Sequence, residues 1–312
     1  MKAQRDVFIQ ALYEKALVDK DIVFISADMG APTLDQWAEN LGDQFIAAGI
    51  SEQNAINVAA GMAKEGKKVF VYMMASWFAR CYEQIRYSCA MANNAITILG
   101  NGVALGYAPS GPAHEPNEDM ALARTLLGIE VYSPSNENST FQLVNLCLEK
   151  PQLRYIRLER SFDKEINEFS YTIENSCKVL IKSSCYSQEK IAIISSGYLL
   201  GRAKKVFDSL KDSYDIELID LWRIKPLDSK HLSEILADRT HIVTLEEQTL
   251  DAGFGSAICE FLFDNKLNPF VKRIGLPEYY IFENGTRDHL LDTNGLSFEN
   301  IKDEVMRFIN NG

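Results

Sequence analysis

A series of short β-rich runs constrains this chain more than anything else in it: DIVFISAD at 21–28, KVFVYMM at 68–74, AITILG at 95–100, IAIISSG at 191–197, IELIDL at 216–221 and HIVTLEE at 241–247. A strand with one wet face alternates apolar and polar residues, whereas a nearly continuous apolar run has to be covered on both sides. Between these runs lie segments with helical spacing of apolar residues. One is residues 4–19, with Val7, Phe8, Leu12, Ala16 and Leu17; others are 52–66, 77–92, 200–211, 228–236 and 254–265. Strand and helix in steady alternation predict parallel sheets with helices on both faces. The rhythm fails between about 161 and 188, where SFDKEINEFSYTIENSCKVLIKSSCYSQEK is polar and interrupted. The expectation is an α/β protein of two doubly wound domains. The first spans 1–165 and is mainly parallel; a linker covers 166–189 and ends in a short strand or two; a smaller domain spans 190–312.

Composition narrows the function. A chain of 312 residues can bury two cores. Its net charge of −11 argues against a nucleic-acid or anionic-membrane surface, which needs clustered Lys and Arg. The six cysteines form no CxxC pair, so neither a zinc knuckle nor a redox motif is indicated, and a reduced, cytoplasmic setting is expected. The start, MKAQRDVFIQALYEKALVDKD, lacks the apolar core of a signal peptide, and no apolar run approaches the ~18 residues of a membrane span. GFGSAI at 253–258 lacks the third glycine of a dinucleotide fingerprint, and neither a phosphate-binding GxxxxGK[ST] loop nor a GxSxG elbow occurs. With four histidines in the chain, a multi-histidine metal site is not expected.

Residues 47–86, AAGISEQNAINVAAGMAKEGKKVFVYMMASWFARCYEQIR, are more specific. With GISEQ, AAGMA and RCYEQIR in order, they resemble the pyrimidine-domain signature of transketolases and 1-deoxyxylulose-5-phosphate synthases. ISADMG at 25–30 is similar to that family's early strand-to-loop segment, GPAHEP at 111–116 to its histidine loop, and YIRLER at 155–160 to its closing strand. IDLWRIKPLD at 219–228 and TLEEQTLDAGFGSAI at 244–258 resemble its C-terminal domain. The resemblance implies thiamine diphosphate as cofactor, with the first domain binding the pyrimidine ring.

That cofactor needs a carboxylic acid to hand a proton to its pyrimidine, a task suited to a buried carboxyl. By the resemblance Glu52 is this acid; as a plain helix N-terminal glutamate it would also be at home. Trp77, with Met74 and Phe78 beside it, falls where the family has an aromatic wall, although an aromatic stripe is also ordinary core. Arg80 aligns near the cofactor, against the alternative of a helix-surface arginine. Asp28 and Met29, at the carboxyl end of the first strand, match residues near the thiazolium. His114 is implied to hydrogen-bond the substrate oxygen. Arg160 is implied to grip a substrate phosphate or carboxylate, with pairing to Glu159 as its competitor. Ser110 stands in the substrate loop where sugar-metabolising transketolases carry an acid.

Two departures shape the functional expectation. Ser110 in place of that acid, and the absence of an arginine from GNGVALG at 100–106, leave both standard substrate sets in doubt. No GDG motif occurs, so the diphosphate and Mg²⁺ ligands are expected from another polypeptide. The chain is therefore expected to be the small subunit of a heteromeric transketolase-like enzyme, paired with an N-terminal diphosphate-binding subunit, in a heterotetramer. It would transfer a two-carbon ketol unit from a ketose to an aldehyde acceptor, the substrates being sugars or sugar phosphates. The alternatives are the β chain of a 2-oxo-acid dehydrogenase component and a non-catalytic assembly subunit.

Overall fold

The computed structural model describes residues 3–27, 29–161 and 165–311. Its first half carries strands β1 (Ile22–Ser26), β2 (Phe45–Ala47), β3 (Lys68–Met74), β4 (Ile96–Asn101), β5 (Glu130–Tyr132) and β6 (Arg154–Leu158). The helices between them are α1 (Gln4–Ala16), α2 (Leu34–Asn40), α3 (Glu52–Lys64), α4 (Phe78–Gln84), α5 (Asp119–Thr125) and α6 (Glu137–Glu149). The segment expected as one helix over 77–92 is α4 continued by a π-helical stretch, Ile85–Met91.

The second half follows with β7 (Cys177–Lys182), β8 (Lys190–Ser195), α7 (Leu199–Leu210), β9 (Asp215–Leu221), β10 (Arg223–Lys225) and α8 (Ser229–Leu236). It closes with β11 (His241–Thr249), α9 (Phe254–Asp264), β12 (Phe270–Leu276), α10 (Arg287–Leu291) and α11 (Phe298–Asn311).

Two sheets result, ordered β10-β5-β6-β4-β3-β1-β2 and β12-β11-β8-β9-β7. β10 and β7 pair antiparallel at the edges, and the other strand pairings among the described residues are parallel. The apolar runs are explained by double-sided burial. In β1 and β3, Val23, Ile25, Val69 and Val71 face a core shared with Ile56 and Phe78 of α3 and α4. Phe24, Phe70 and Tyr72 alternate to the other face, against Phe8, Trp37 and Leu143 of α1, α2 and α6. Either face, stripped of its helices, would expose several side chains each contributing roughly 1.5–3 kcal/mol by burial.

β10 ties the second half to the first sheet. Further ties run from the carboxyl ends of the second sheet: Ser196 Oγ donates to Ser133 O (2.8 Å), and the Gly197 N–H donates to Ser135 Oγ (2.8 Å). Arg124 reaches back from α5 to Gly253 O (2.9 Å). No helix among the described residues is long and apolar enough to cross a membrane.

Candidate active site

In the first sheet β2 and β3 lie on opposite sides of β1. That reversal of strand order opens a crevice at the carboxyl ends of the strands, the place where open α/β sheets bind ligands. The segments holding the sequence candidates all leave from those ends: Met29 after β1, Glu52 after β2, Met74 and Trp77 at the end of β3, the 104–114 loop after β4 and Arg160 after β6. A cleft of about 600 Å³ opens between the ends of β1 and β2, bordered by Ser26, Met29, Phe45, Ala47 and Gly49. Asp28 lies outside the described residues.

Five of the candidates and Tyr107 bear on a single line of contacts. Glu52, in the first turn of α3, is 3% exposed. Its Oε2 lies 3.3 Å from Arg80 Nη1. Packing of α3 on α4 sets this approach, and Gln53 Nε2 also donates to the Arg80 carbonyl (3.2 Å). The Arg80 guanidinium then sits 4.7 Å over the Trp77 ring. Trp77 is half-buried and lies 6.3 Å from the His114 ring, and His114 lies 6.3 Å from Tyr107. Arg160 closes the line, 4.3 Å over Tyr107. Met74 is buried immediately before the turn that carries Trp77.

Not every candidate joins this line. Phe78 points the other way: it is fully buried and packs on Tyr155 at 4.5 Å, so it backs the aromatic wall from beneath. Ser110 is exposed at the end of the 3₁₀ stretch Ala104–Ser110. The expected competitor for Arg160 has another partner, because Glu159 is ion-paired to Arg287 from α10 (2.8 Å).

Tyr107 escaped the sequence reading. Its hydroxyl accepts from Asn101 Nδ2 (2.6 Å), and its ring lies against Gly102, where a Cβ would fall 1.9 Å from Cε2. Gly102 also has φ +73°, which only glycine adopts freely. A glycine just past a strand end, five residues before an aromatic, was the available signal. Glu115 was also missed. It follows His114, is 2% exposed, and neither carboxyl oxygen finds a partner among the described residues. Burial pushes its pKa up to about 7, with the Glu247 charge adding to the effect.

The close packing around Glu52 also acts on a neighbouring thiol. Burial pushes the Cys81 thiol up to about 12, and the neighbouring Glu52 charge contributes. His114 Nδ1 is buried with no partner among the described residues. A buried carboxyl, a half-buried indole and an unpaired imidazole nitrogen along one line of contacts suit a flat, polar heteroaromatic ring. Nothing comparable suits a metal: among the described residues no group of three or more His, Cys, Asp or Glu side chains is placed to hold one.

The family Transketolase, pyrimidine binding domain, matches residues 1–162. The chain belongs to the transketolase family. The family's C-terminal domain matches residues 182–301 of this transketolase-family chain. It is 30% identical to an apulose-4-phosphate transketolase subunit of Phocaeicola vulgatus, over 99% of this chain and 98% of that protein. It is 29% identical to 1-deoxy-D-xylulose-5-phosphate synthase of Shouchella clausii over 97% of this chain, but spans only 48% of that longer enzyme. Among solved structures, one described as a split gene transketolase, inactive beta4 tetramer, superposes with a TM-score of 0.87 at 28% identity, covering 99% of both chains.

Proposed function

We propose that this chain is the pyrimidine-binding subunit of a two-chain, cytoplasmic transketolase that moves a two-carbon ketol unit from a ketose to an aldehyde acceptor. The observation that carries the reading is the line of contacts from Glu52 through Arg80, Trp77, His114 and Tyr107 to Arg160. It runs from a buried carboxyl to a guanidinium whose fork suits an anion, and so supports a reading with a cofactor ring followed by a sugar phosphate.

Thiamine diphosphate would be held at its pyrimidine end by Glu52, Met74 and Trp77, and would supply a nucleophilic carbon for ketol transfer. Glu52 has the burial and the position to hold and return a proton at its Oε atoms. Arg80 keeps that carboxyl oriented and stacks on Trp77. His114 presents a ring nitrogen to substrate oxygen, where a fixed donor counts most as negative charge develops. Arg160, 4.3 Å over the Tyr107 ring, would offer its fork to a phosphate or carboxylate. Met29 borders the cleft at the end of β1, and Asp28 is proposed beside it from the sequence alone. Mg²⁺ and the diphosphate would fall to a partner subunit, in a heterotetramer, a reading supported by the lack of a GDG motif in this sequence.

The 98% coverage of the Phocaeicola vulgatus relative, itself a transketolase subunit, supports the two-chain reading, as does the inactivity stated for the beta4 structure. Reconstitution tests both parts. The chain mixed with its diphosphate-binding partner, thiamine diphosphate and Mg²⁺ is expected to transfer ketol units, and the chain alone is expected to be inactive. Full activity without a partner overturns the two-chain reading. A complex that binds the cofactor yet transfers no ketol unit overturns the reaction.

A further inference from the structure

The strongest unassigned feature lies where α10 meets the histidine loop. Arg287 comes from the second half of the chain and is almost entirely buried, its side chain 11% exposed. Its Nε and Nη2 donate to the two oxygens of Glu247, each at 2.8 Å, and Nη2 also lies 2.8 Å from Glu159 Oε2. The guanidinium rests on Tyr198 at 4.0 Å. Burial works against its charge, but Glu159 and Glu247 outweigh burial and raise its pKa.

Both glutamates are joined to segments that carry candidate residues. Glu159 immediately precedes Arg160. Glu247 Oε1 also accepts the Leu105 N–H (3.1 Å), at the start of the stretch that carries Tyr107 and leads to His114. The residue just before it, Ala104, has φ +46°, a left-handed conformation unfavourable for alanine. Such strain persists only where the surroundings enforce it, and it concentrates at functional sites. The far end of the same loop is anchored too: Asp119 accepts from Tyr155 (2.7 Å) and Arg157 (2.9 Å) on β6.

We propose that Arg287, acting through Glu247 and Glu159, is a positioning residue that sets the His114 loop and the Arg160 strand end for the substrate step. This rests on the transketolase reading above. The second half of the chain touches no reacting atom in this scheme, yet it sets the register of the wall that does. A shift of about 1 Å in such a wall is enough to slow a reaction roughly a hundredfold.

The test uses the reconstituted complex and the variants Arg287→Met, Arg287→Lys and Glu247→Gln. Expected for Arg287→Met is a roughly ten- to hundredfold fall in kcat/KM for ketol transfer, with exchange of the cofactor C2 proton unchanged, because Glu52 lies outside the clamp. Hydrogen exchange of the 103–114 amides should quicken in the same variant. Lysine keeps the charge but not the fork, so Arg287→Lys should recover only part of the rate. Glu247→Gln keeps an acceptor for Leu105 N–H and should fall between wild type and Arg287→Met.

Lower thermal stability with kcat and KM unmoved would make the clamp merely structural and overturn the proposal. Equal losses in C2-proton exchange and ketol transfer would overturn it as well, since the damage would then be global. If Arg287→Met does not fold, Arg287→Lys and Glu247→Gln are judged by the same criteria. If the wild-type complex transfers no ketol unit, the transketolase reading fails on its own. Hydrogen exchange then decides the clamp separately, and unchanged protection of 103–114 in the variants overturns it.

Discussion

Replacing Glu115 with glutamine should make the protein more stable, and increasingly so as pH rises. The wild-type carboxyl is 2% exposed, has no partner for either oxygen among the described residues, and faces the Glu247 charge. Its pKa moves from an ordinary 4.5 to about 7 on folding. A carboxyl raised in the folded state binds its proton more tightly there than in the unfolded chain. Its stabilising contribution is complete below pH 4.5 and is lost as pH climbs through about 7. Each tenfold in that proton equilibrium corresponds to about 1.4 kcal/mol, so wild type gives up about 1 kcal/mol by pH 5 and about 3 kcal/mol by pH 8. Glutamine carries no proton to lose and nearly matches the neutral acid in shape. The Glu115→Gln variant should therefore gain about 3 kcal/mol over wild type at pH 8, or roughly 5 °C in melting temperature for a chain of this length. At pH 5 the gain should shrink to about a third of that. Thermal unfolding of both proteins across this range isolates the one group, because other buried acids such as Glu246 and Asp220 are common to both. A gap of equal size at the two pH values, or a larger one at pH 5, refutes the argument.

Glu52→Gln should fold normally and slow both C2-proton exchange and turnover of the complex by about 10²–10⁴-fold, the range expected for losing a positioned acid; NMR of the bound cofactor reads the exchange. His114→Ala should act mainly on kcat, by roughly 10²-fold, and leave cofactor affinity unchanged by titration calorimetry. Arg160→Ala should instead raise KM, with a loss of about 1.5–3 kcal/mol for phosphorylated acceptors that shrinks for unphosphorylated ones; equal losses on both would rule out phosphate recognition there. Gly102→Ala adds a Cβ 1.9 Å from the Tyr107 ring at a backbone angle of +73°. It should destabilise the fold by about 1–3 kcal/mol and, by dislodging Tyr107 from beneath Arg160, reproduce the Arg160→Ala pattern in steady-state kinetics.

Much of the architecture was legible in the sequence alone. KVFVYMM and IELIDL are buried along almost their whole length, and burial on both faces writes itself into composition without needing context. Glu52 and His114 stood out because they sit in motifs that resemble those of a family. β5 and β10 did not stand out, since three residues such as EVY or RIK are too short to show a period. Phe78 reads as equivalent to Trp77 along the chain, yet the fold buries Phe78 completely against Tyr155 and leaves Trp77 half-buried, 6.3 Å from His114. The clamp lay furthest from view. Leu105 and Glu247 are 142 positions apart, and Glu247 and Arg287 are 40 apart. Local sequence governs the periodicity of helices and strands, whose hydrogen bonds and apolar faces recur every few residues. Pairings between charges that far apart depend on how one sheet docks against the other, so the carboxyl ends of β11 and β6, and the arginine between them, meet only once the tertiary structure has formed.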